Sequence, residues 1–273
     1  MGNGSYSRRK MSILRPTRRF RICGIVPASG GPAAAGRRLS ETPNHEQRPR
    51  FSPGGKRLIW TSKATDPSQI WICDFDTDSG VLEGKPRQLA TISTGADGAI
   101  WSPDGKYIAW RSQARAGFEA DKERLLIYDR QLGKTRDATE AFDRSVGSMA
   151  WTPDSKGVFL IAEDHGEAPI WSLPLDAKQP TEMARLHADD LIFSKDGKAL
   201  YFTRMSIAGP NEIAALIFVD PTLLNLLQRR GIDVLTPKTE PSTVTHMSDA
   251  LLSKIDMQPM KAFTFKGANN DEV

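Results

Sequence analysis

Four segments of the chain superimpose without gaps: "RFSPGGKRLIWTS" (50–62), "IWSPDGKYIAWRS" (100–112), "AWTPDSKGVFLIA" (150–162) and "IFSKDGKALYFTR" (192–204). Their leading aromatics, Phe51, Trp101, Trp151 and Phe193, lie 50, 50 and 42 residues apart. Lysine stands five positions after each: Lys56, Lys106, Lys156 and Lys198. An aliphatic residue stands at seven (Leu58, Ile108, Val158, Leu200), and Trp60, Trp110, Leu160 and Phe202 stand at nine. Self-similarity at such a period means stacked copies of one supersecondary unit, each burying its neighbour's apolar face.

The box has the chemistry of a tight strand connection. Ser or Thr at the first turn position bonds nearby backbone, and Pro53, Pro103 and Pro153 preset φ at the next. Asp104, Asp154 and Asp196 suit the third position, and Gly105 and Gly197 tolerate a left-handed conformation at the fourth. Positions seven and nine then share one face of the following strand, because side chains alternate with period two. That face is expected to be packed, and the lysine at five to sit in solvent where the chain leaves the turn.

Each box leads to a second apolar segment, "QIWICDFDTDSG" (69–80), "RLLIYDRQLGK" (124–134) or "PIWSLPLDAK" (169–178), and shorter strand-like pieces such as "PRQLA" and "TEMARL" follow. About four short strands per unit of roughly 40–50 residues is the pattern of a β-propeller blade. The expected fold is all-β: a partial propeller of about four blades over 45–220. Trp60, Trp71, Trp101, Trp110, Trp151 and Trp171 recur at blade positions and read as core.

The net charge of +4 hides an asymmetry: residues 1–50 carry eleven Lys/Arg against two Asp/Glu, leaving the remainder net negative. With "RRK", "RRFR" and "GPAAAGRR" and few core-forming residues, 1–44 reads as a disordered basic arm. Its "TRRFRICGIVPASGGPAAAG" has a weak leader-like character, but Gly, Pro and Ser interrupt the apolar run. The arginine clusters lack an aromatic platform, so nucleic acid is not an expected partner. No run reaches the roughly 18 apolar residues of a membrane helix, so no membrane span is expected. Cys23 and Cys73 are too few and too far apart to define a compartment.

After the fourth box the pattern changes. "PTLLNLLQRRGIDVLTPKTEPS" places Thr222 as N-cap, leucines at 223, 224, 226 and 227, and Gly231 as C-cap, which predicts a short helix near 222–230 inside an irregular segment, 221–245. In 246–273, "KAFTFKG" reads as a strand.

Candidate sites are few. Asp74, Asp76 and Asp78 imitate the start of a calcium loop, but Lys85 stands where its bidentate Glu belongs, so a polar interstrand turn is expected. "LGKT" (132–135) lacks the first glycine of a phosphate loop, Tyr128 standing there. His165 sits among Glu163, Asp164 and Glu167 without an identifiable nucleophile, and His45, His187 and His246 are isolated. No cofactor or metal is expected. The loop within "RSQARAGFEADKER" (111–124) is longer than its counterparts, which makes Arg111, Arg115, Glu119 and Arg124 candidate rim contacts for a peptide or a partner domain.

The boxes resemble the WD-like propeller repeats shared by TolB-like proteins and the prolyl oligopeptidase family of serine peptidases. "YFTRMSIAGPNEI" (201–213) looks like a last blade of such a propeller. "SDALLSKIDMQPMKAFTFKGANNDEV" resembles the segment by which dipeptidyl-peptidase and acylaminoacyl-peptidase members pass from propeller to α/β-hydrolase. In that family the propeller filters substrates by size ahead of a Ser–Asp–His triad whose serine stands on a Gly-x-Ser-x-Gly elbow. This chain contains no Gly-x-Ser-x-Gly, so the resemblance carries over no catalytic residue. It implies a non-catalytic propeller fragment serving substrate gating or peptide and protein interaction. The alternative is a stand-alone TolB-like propeller acting as a protein-binding scaffold. Family propellers have more blades than the four visible here, so self-association through open blade edges is expected.

Overall fold

A computed structural model of the protein describes residues 24–25, 37–39, 45–218, 241–258, 261 and 263–271. Its regular structure is almost entirely strand, arranged as four antiparallel four-stranded sheets and one two-stranded ladder. The ladder joins β1 (Gly24–Ile25) to β2 (Arg37–Arg38), within the segment read as a basic arm. The rest of that arm and the helix expected near 222–230 lie outside the described residues.

Each sheet is one blade, its strands adjacent in chain order. The first blade holds β3 (Glu46–Phe51), β4 (Arg57–Ser62), β5 (Gln69–Asp76) and β6 (Val81–Gln88). The second holds β7 (Asp97–Trp101), β8 (Tyr107–Ser112), β9 (Arg124–Asp129) and β10 (Lys134–Asp137). The third holds β11 (Val146–Trp151), β12 (Gly157–Ala162), β13 (Ile170–Pro174) and β14 (Thr181–Ala184). The fourth holds β15 (His187–Phe193), β16 (Ala199–Ser206), β17 (Gly209–Ile217) and the short β18 (Ser242–Thr243).

The repeated box makes the turn between first and second strands in all four blades, and its hydrogen bonds repeat. The amides of Ser52, Ser102, Thr152 and Ser194 donate to the carbonyls of Arg57, Tyr107, Gly157 and Ala199 at 2.8–3.0 Å. The hydroxyls of Ser102, Thr152 and Ser194 donate to Asp104, Asp154 and Asp196 at 2.6 Å, and each carboxylate accepts the amide of the box lysine. The fourth turn residue is left-handed throughout: Gly55, Gly105, Ser155 and Gly197 have φ between 62° and 72°. The lysines are exposed, and their backbone carbonyls accept hydrogen bonds from Phe75, Arg130, Leu175 and Phe218, which tie the turn to the blade's third strand.

Positions seven and nine of every box are buried, as the alternation predicts. Position eight is buried as well in Ile59, Ala109 and Phe159, because these blades are covered on both faces. Ile59, Ile70 and Ile72 of the first blade meet Ile108, Trp101 and Trp110 of the second. Ala109, Leu125 and Ile127 of the second meet Val158, Leu160 and Ala162 of the third. Phe159, Ile161 and Ile170 of the third meet Leu200, Phe202, Ala214 and Leu216 of the fourth. One strand thus serves two seams, odd residues to one side and even residues to the other. The aromatic leads take part: Trp151 stacks on Tyr107 with ring centroids 5.9 Å apart, and Phe193 lies edge-on to Phe159 at 5.5 Å.

"KAFTFKG" departs from expectation. Its described residues Phe263, Thr264 and Phe265 belong to no strand, and a 3-10 turn at Ala268–Asn270 follows. Alternating apolar residues make a strand only beside a partner edge, and Phe263 and Phe265 instead stand exposed against each other. A short helix, α1 (Asp249–Leu252), packs Leu252 against Gly209 of the fourth blade.

Candidate functional site

The first strands of the blades, β3, β7, β11 and β15, all carry a register shift near their middles, between Gln47 and Arg50, Asp97 and Ile100, Val146 and Met149, and Asp189 and Ile192. A bulge bends a strand and re-aims its side chains. Three residues before the box aromatic, Arg48 (φ 54°), Gly98 (φ 68°) and Asp190 (φ 56°) take left-handed backbone in three of the four blades.

These bulges converge on one channel of about 350 Å3, lined by Arg48 and Arg50 from the first blade, Gly98, Ala99, Ile100 and Arg111 from the second, Gly147, Ser148 and Met149 from the third, and Asp189, Asp190 and Leu191 from the fourth. The lining is polarised: guanidiniums stand on the first two blades and carboxylates on the fourth. Asp97 Oδ2 accepts from Arg111 Nη2 at 2.8 Å and pairs with Arg48 Nη1 at 3.2 Å, which locks the first blade to the second beside the channel. Gly98 makes this approach feasible, since a Cβ there would stand 3.1 Å from Arg48 Nη1.

Arg111 also borders a neighbouring cleft of about 480 Å3 with Lys63, Asp66, Ser68, Thr94, Asp97, Gln113 and Glu123. Burial pushes the Glu123 carboxyl above its ordinary pKa, and the negative charge of Asp97 adds to this against the pull of Arg111 and Arg124. Arg111 is common to the linings of the two cavities.

The four expected rim residues do not form one patch. Arg111 lies on β8 in the linings just described. Arg124 lies on β9, donating to the carbonyls of Gln113 at 2.7 Å and Ser112 at 3.4 Å and pairing with Asp137, so it anchors the long loop. Arg115 pairs with Asp121 inside that loop and covers the Phe118 ring, 3.7 Å from its centroid. Glu119 is exposed at its tip. Sequence reasoning missed Arg48 and Asp97, because no shared residue type marks the bulge across the repeats, and it missed Glu123, which lies in the loop leading into β9.

The other candidates take structural places. Asp74 pairs with Arg57 at 2.8 Å, and Asp76 accepts the Asp78 amide at 2.9 Å in the turn that closes β5 onto β6. Among the described residues no group of three or more His, Cys, Asp or Glu is placed to hold a metal ion. His165 Nδ1 lies 2.8 Å from Asp164 Oδ1, and Asp164 is held by Arg144 at 2.8 Å and Arg185 at 2.7 Å.

No protein-family model matches the chain. Among curated proteins it is 33% identical over 167 residues to dipeptidyl-peptidase 5 of Porphyromonas gingivalis, covering 60% of this chain and 24% of that protein. It is 28% identical over 173 residues to dipeptidyl-peptidase 5 of Schizosaccharomyces pombe, covering 61% and 25%. The chain therefore spans about a quarter of the length of these curated relatives. Among solved structures its fold matches TolB from Acinetobacter baumannii (TM-score 0.56, 14% identity, 77% of this chain and 46% of that one). It also matches Pyrococcus horikoshii acylaminoacyl peptidase (TM-score 0.56, 12% identity, 88% and 44%). In fold and in sequence this chain is similar to the propeller portion of prolyl oligopeptidase-family proteins.

Proposed function

We propose that the blades act without catalysis of their own, admitting or holding extended peptide in the channel on behalf of a peptidase. The observation that carries this is the convergence of four bulged first strands on one polarised channel of about 350 Å3. A space of that size takes a few residues of extended chain and no folded domain. Arg48 and Arg50 face Asp189 and Asp190 around it, so both carbonyl-rich and amide-rich stretches of a peptide find partners.

Calorimetric titration of the full chain with extended peptides of increasing length, and with a small folded protein, tests the reading. Peptides should bind weakly, with affinity falling as salt rises, and the folded protein should not compete. The double variant Arg50→Ala, Asp190→Asn should weaken peptide binding about tenfold; Asn keeps the left-handed conformation at 190. Peptides that bind the variant as well as the wild type would sink the proposal.

A further inference from the structure

The charges around the channel are not neutralised by one another. Its lining holds three guanidiniums, Arg48, Arg50 and Arg111, on the first two blades and two carboxylates, Asp189 and Asp190, on the fourth. Arg48 and Arg111 share one carboxylate outside that lining, Asp97. Arg50 donates to the adjacent Pro49 carbonyl at 3.1 Å, and among the described residues no carboxylate pairs with it. Positive charge is therefore in excess on that side.

The fourth blade supplies the opposite excess. Neighbouring residues of a regular strand point to opposite faces, but the register shift between Asp189 and Ile192 brings both Asp189 and Asp190 into the lining. Asp189 accepts the Asp190 amide at 2.8 Å, and Asp190 accepts the Thr203 hydroxyl at 3.3 Å. Among the described residues no cation pairs with either, and no ion pair crosses the channel. Two opposite charge excesses thus face one space of about 350 Å3.

Resting on the reading of the channel as a peptide site, we propose that its ligands are short peptides with both ends free, held in one direction. The terminal carboxylate lies against Arg50, and the terminal ammonium lies against Asp189 and Asp190. A simple anion or cation would meet one attractive pole and one repulsive pole, whereas a zwitterion satisfies both. Extended residues advance about 3.3–3.6 Å each, so the two ends reach both poles only when a few residues separate them. The middle of a longer chain brings no terminal charge to either pole. Hydrolysis of a peptide bond takes up water and leaves one new carboxylate and one new ammonium. Peptide cleavage is accordingly the class of reaction that supplies such ligands, and the channel favours cut fragments over uncut chain.

Calorimetric titration of the full chain with trialanine and its capped forms reads each end separately. The charges are exposed, so the C-terminal amide and the N-acetyl form should each bind about fivefold more weakly than the free peptide. Arg50→Ala should erase the difference between acid and amide and keep that between amine and acetyl. The double variant Asp189→Asn, Asp190→Asn should do the reverse, since Asn tolerates the left-handed backbone at 190. Each result is a ratio within one protein, so a change in overall stability does not mimic it. Caps without effect on a peptide that binds would overturn the proposal while leaving the channel a peptide site. Cap effects that survive both variants would also overturn it, by placing the two ends elsewhere. If no form binds, the peptide reading itself falls, and this proposal falls with it.

Discussion

The backbone amide of Asp104 donates to Ser155 Oγ at 3.0 Å, across the seam between the second and third blades. Ser155 holds the left-handed turn position that glycine holds in the other three boxes, with φ 62°. It carries the strain of a non-glycine residue there and returns a bond between blades. Ser155→Ala should keep the strain and leave the Asp104 amide without its partner, costing about 1–3 kcal/mol in chemical denaturation. Ser155→Gly should cost less, since glycine relieves the backbone as the bond is lost.

Gly197 and Gly54 make a matched pair. At Gly197 a Cβ would stand 2.8 Å from Pro153 Cγ and 3.0 Å from Pro153 Cβ, at a φ of 71°. The proline ring is stiff and belongs to the neighbouring blade's turn. Gly197→Ala should therefore destabilise by about 2 kcal/mol or more. A Cβ at Gly54 meets nothing within 4 Å, so Gly54→Ala should be neutral or stabilise by about 0.5 kcal/mol. Paired thermal melts check both.

Glu123 gives the cleft beside the channel a pH signature. Burial raises its pKa in the folded state, so the folded chain holds this proton more tightly than the unfolded chain does. Its contribution is present below the unfolded carboxylate pKa of about 4.3 and is lost as pH rises through the folded value. Glu123→Gln should therefore be more stable than the wild type at neutral pH, and the difference should shrink toward pH 4. Denaturant midpoints across pH 4–8 measure it, and a difference of the opposite sign would count against the buried-carboxyl account.

Asp164 runs the other way. Hydrogen bonds from Arg185 and Arg144 hold its carboxyl well below the ordinary range. Its contribution is present above the unfolded pKa of about 3.9 and disappears only as pH falls through the lowered folded value. Asp164→Asn should therefore loosen the 163–168 loop at neutral pH. Protease susceptibility of that loop is the readout, and the gap between variant and wild type should close in strong acid.

The blade repeat was legible in the sequence because turn chemistry is local. Ser102, Pro103, Asp104 and Gly105 name their own backbone conformation, and residues 108 and 110 name the buried face. Burial at Ile59, Ala109 and Phe159 was not legible, since it depends on the blade beyond. The channel wall was hidden for a related reason. Arg48, Gly98, Ser148 and Asp190 occupy one structural position with four side-chain types, and the bulge that unites them is a matter of pairing register. Phe263 and Phe265 alternate like strand residues, but alternation does not supply the partner that a strand requires.

Within each of the first three blades every strand pairs with its sequence neighbour, and the box closes its turn with atoms only five residues apart. Contacts this local shorten the loops that must close before a blade gains its first cross-strand bonds, so the chain should fold fast for an all-β protein. Each box is a separate place to begin, and a blade once formed offers its forward face as the template on which the next condenses.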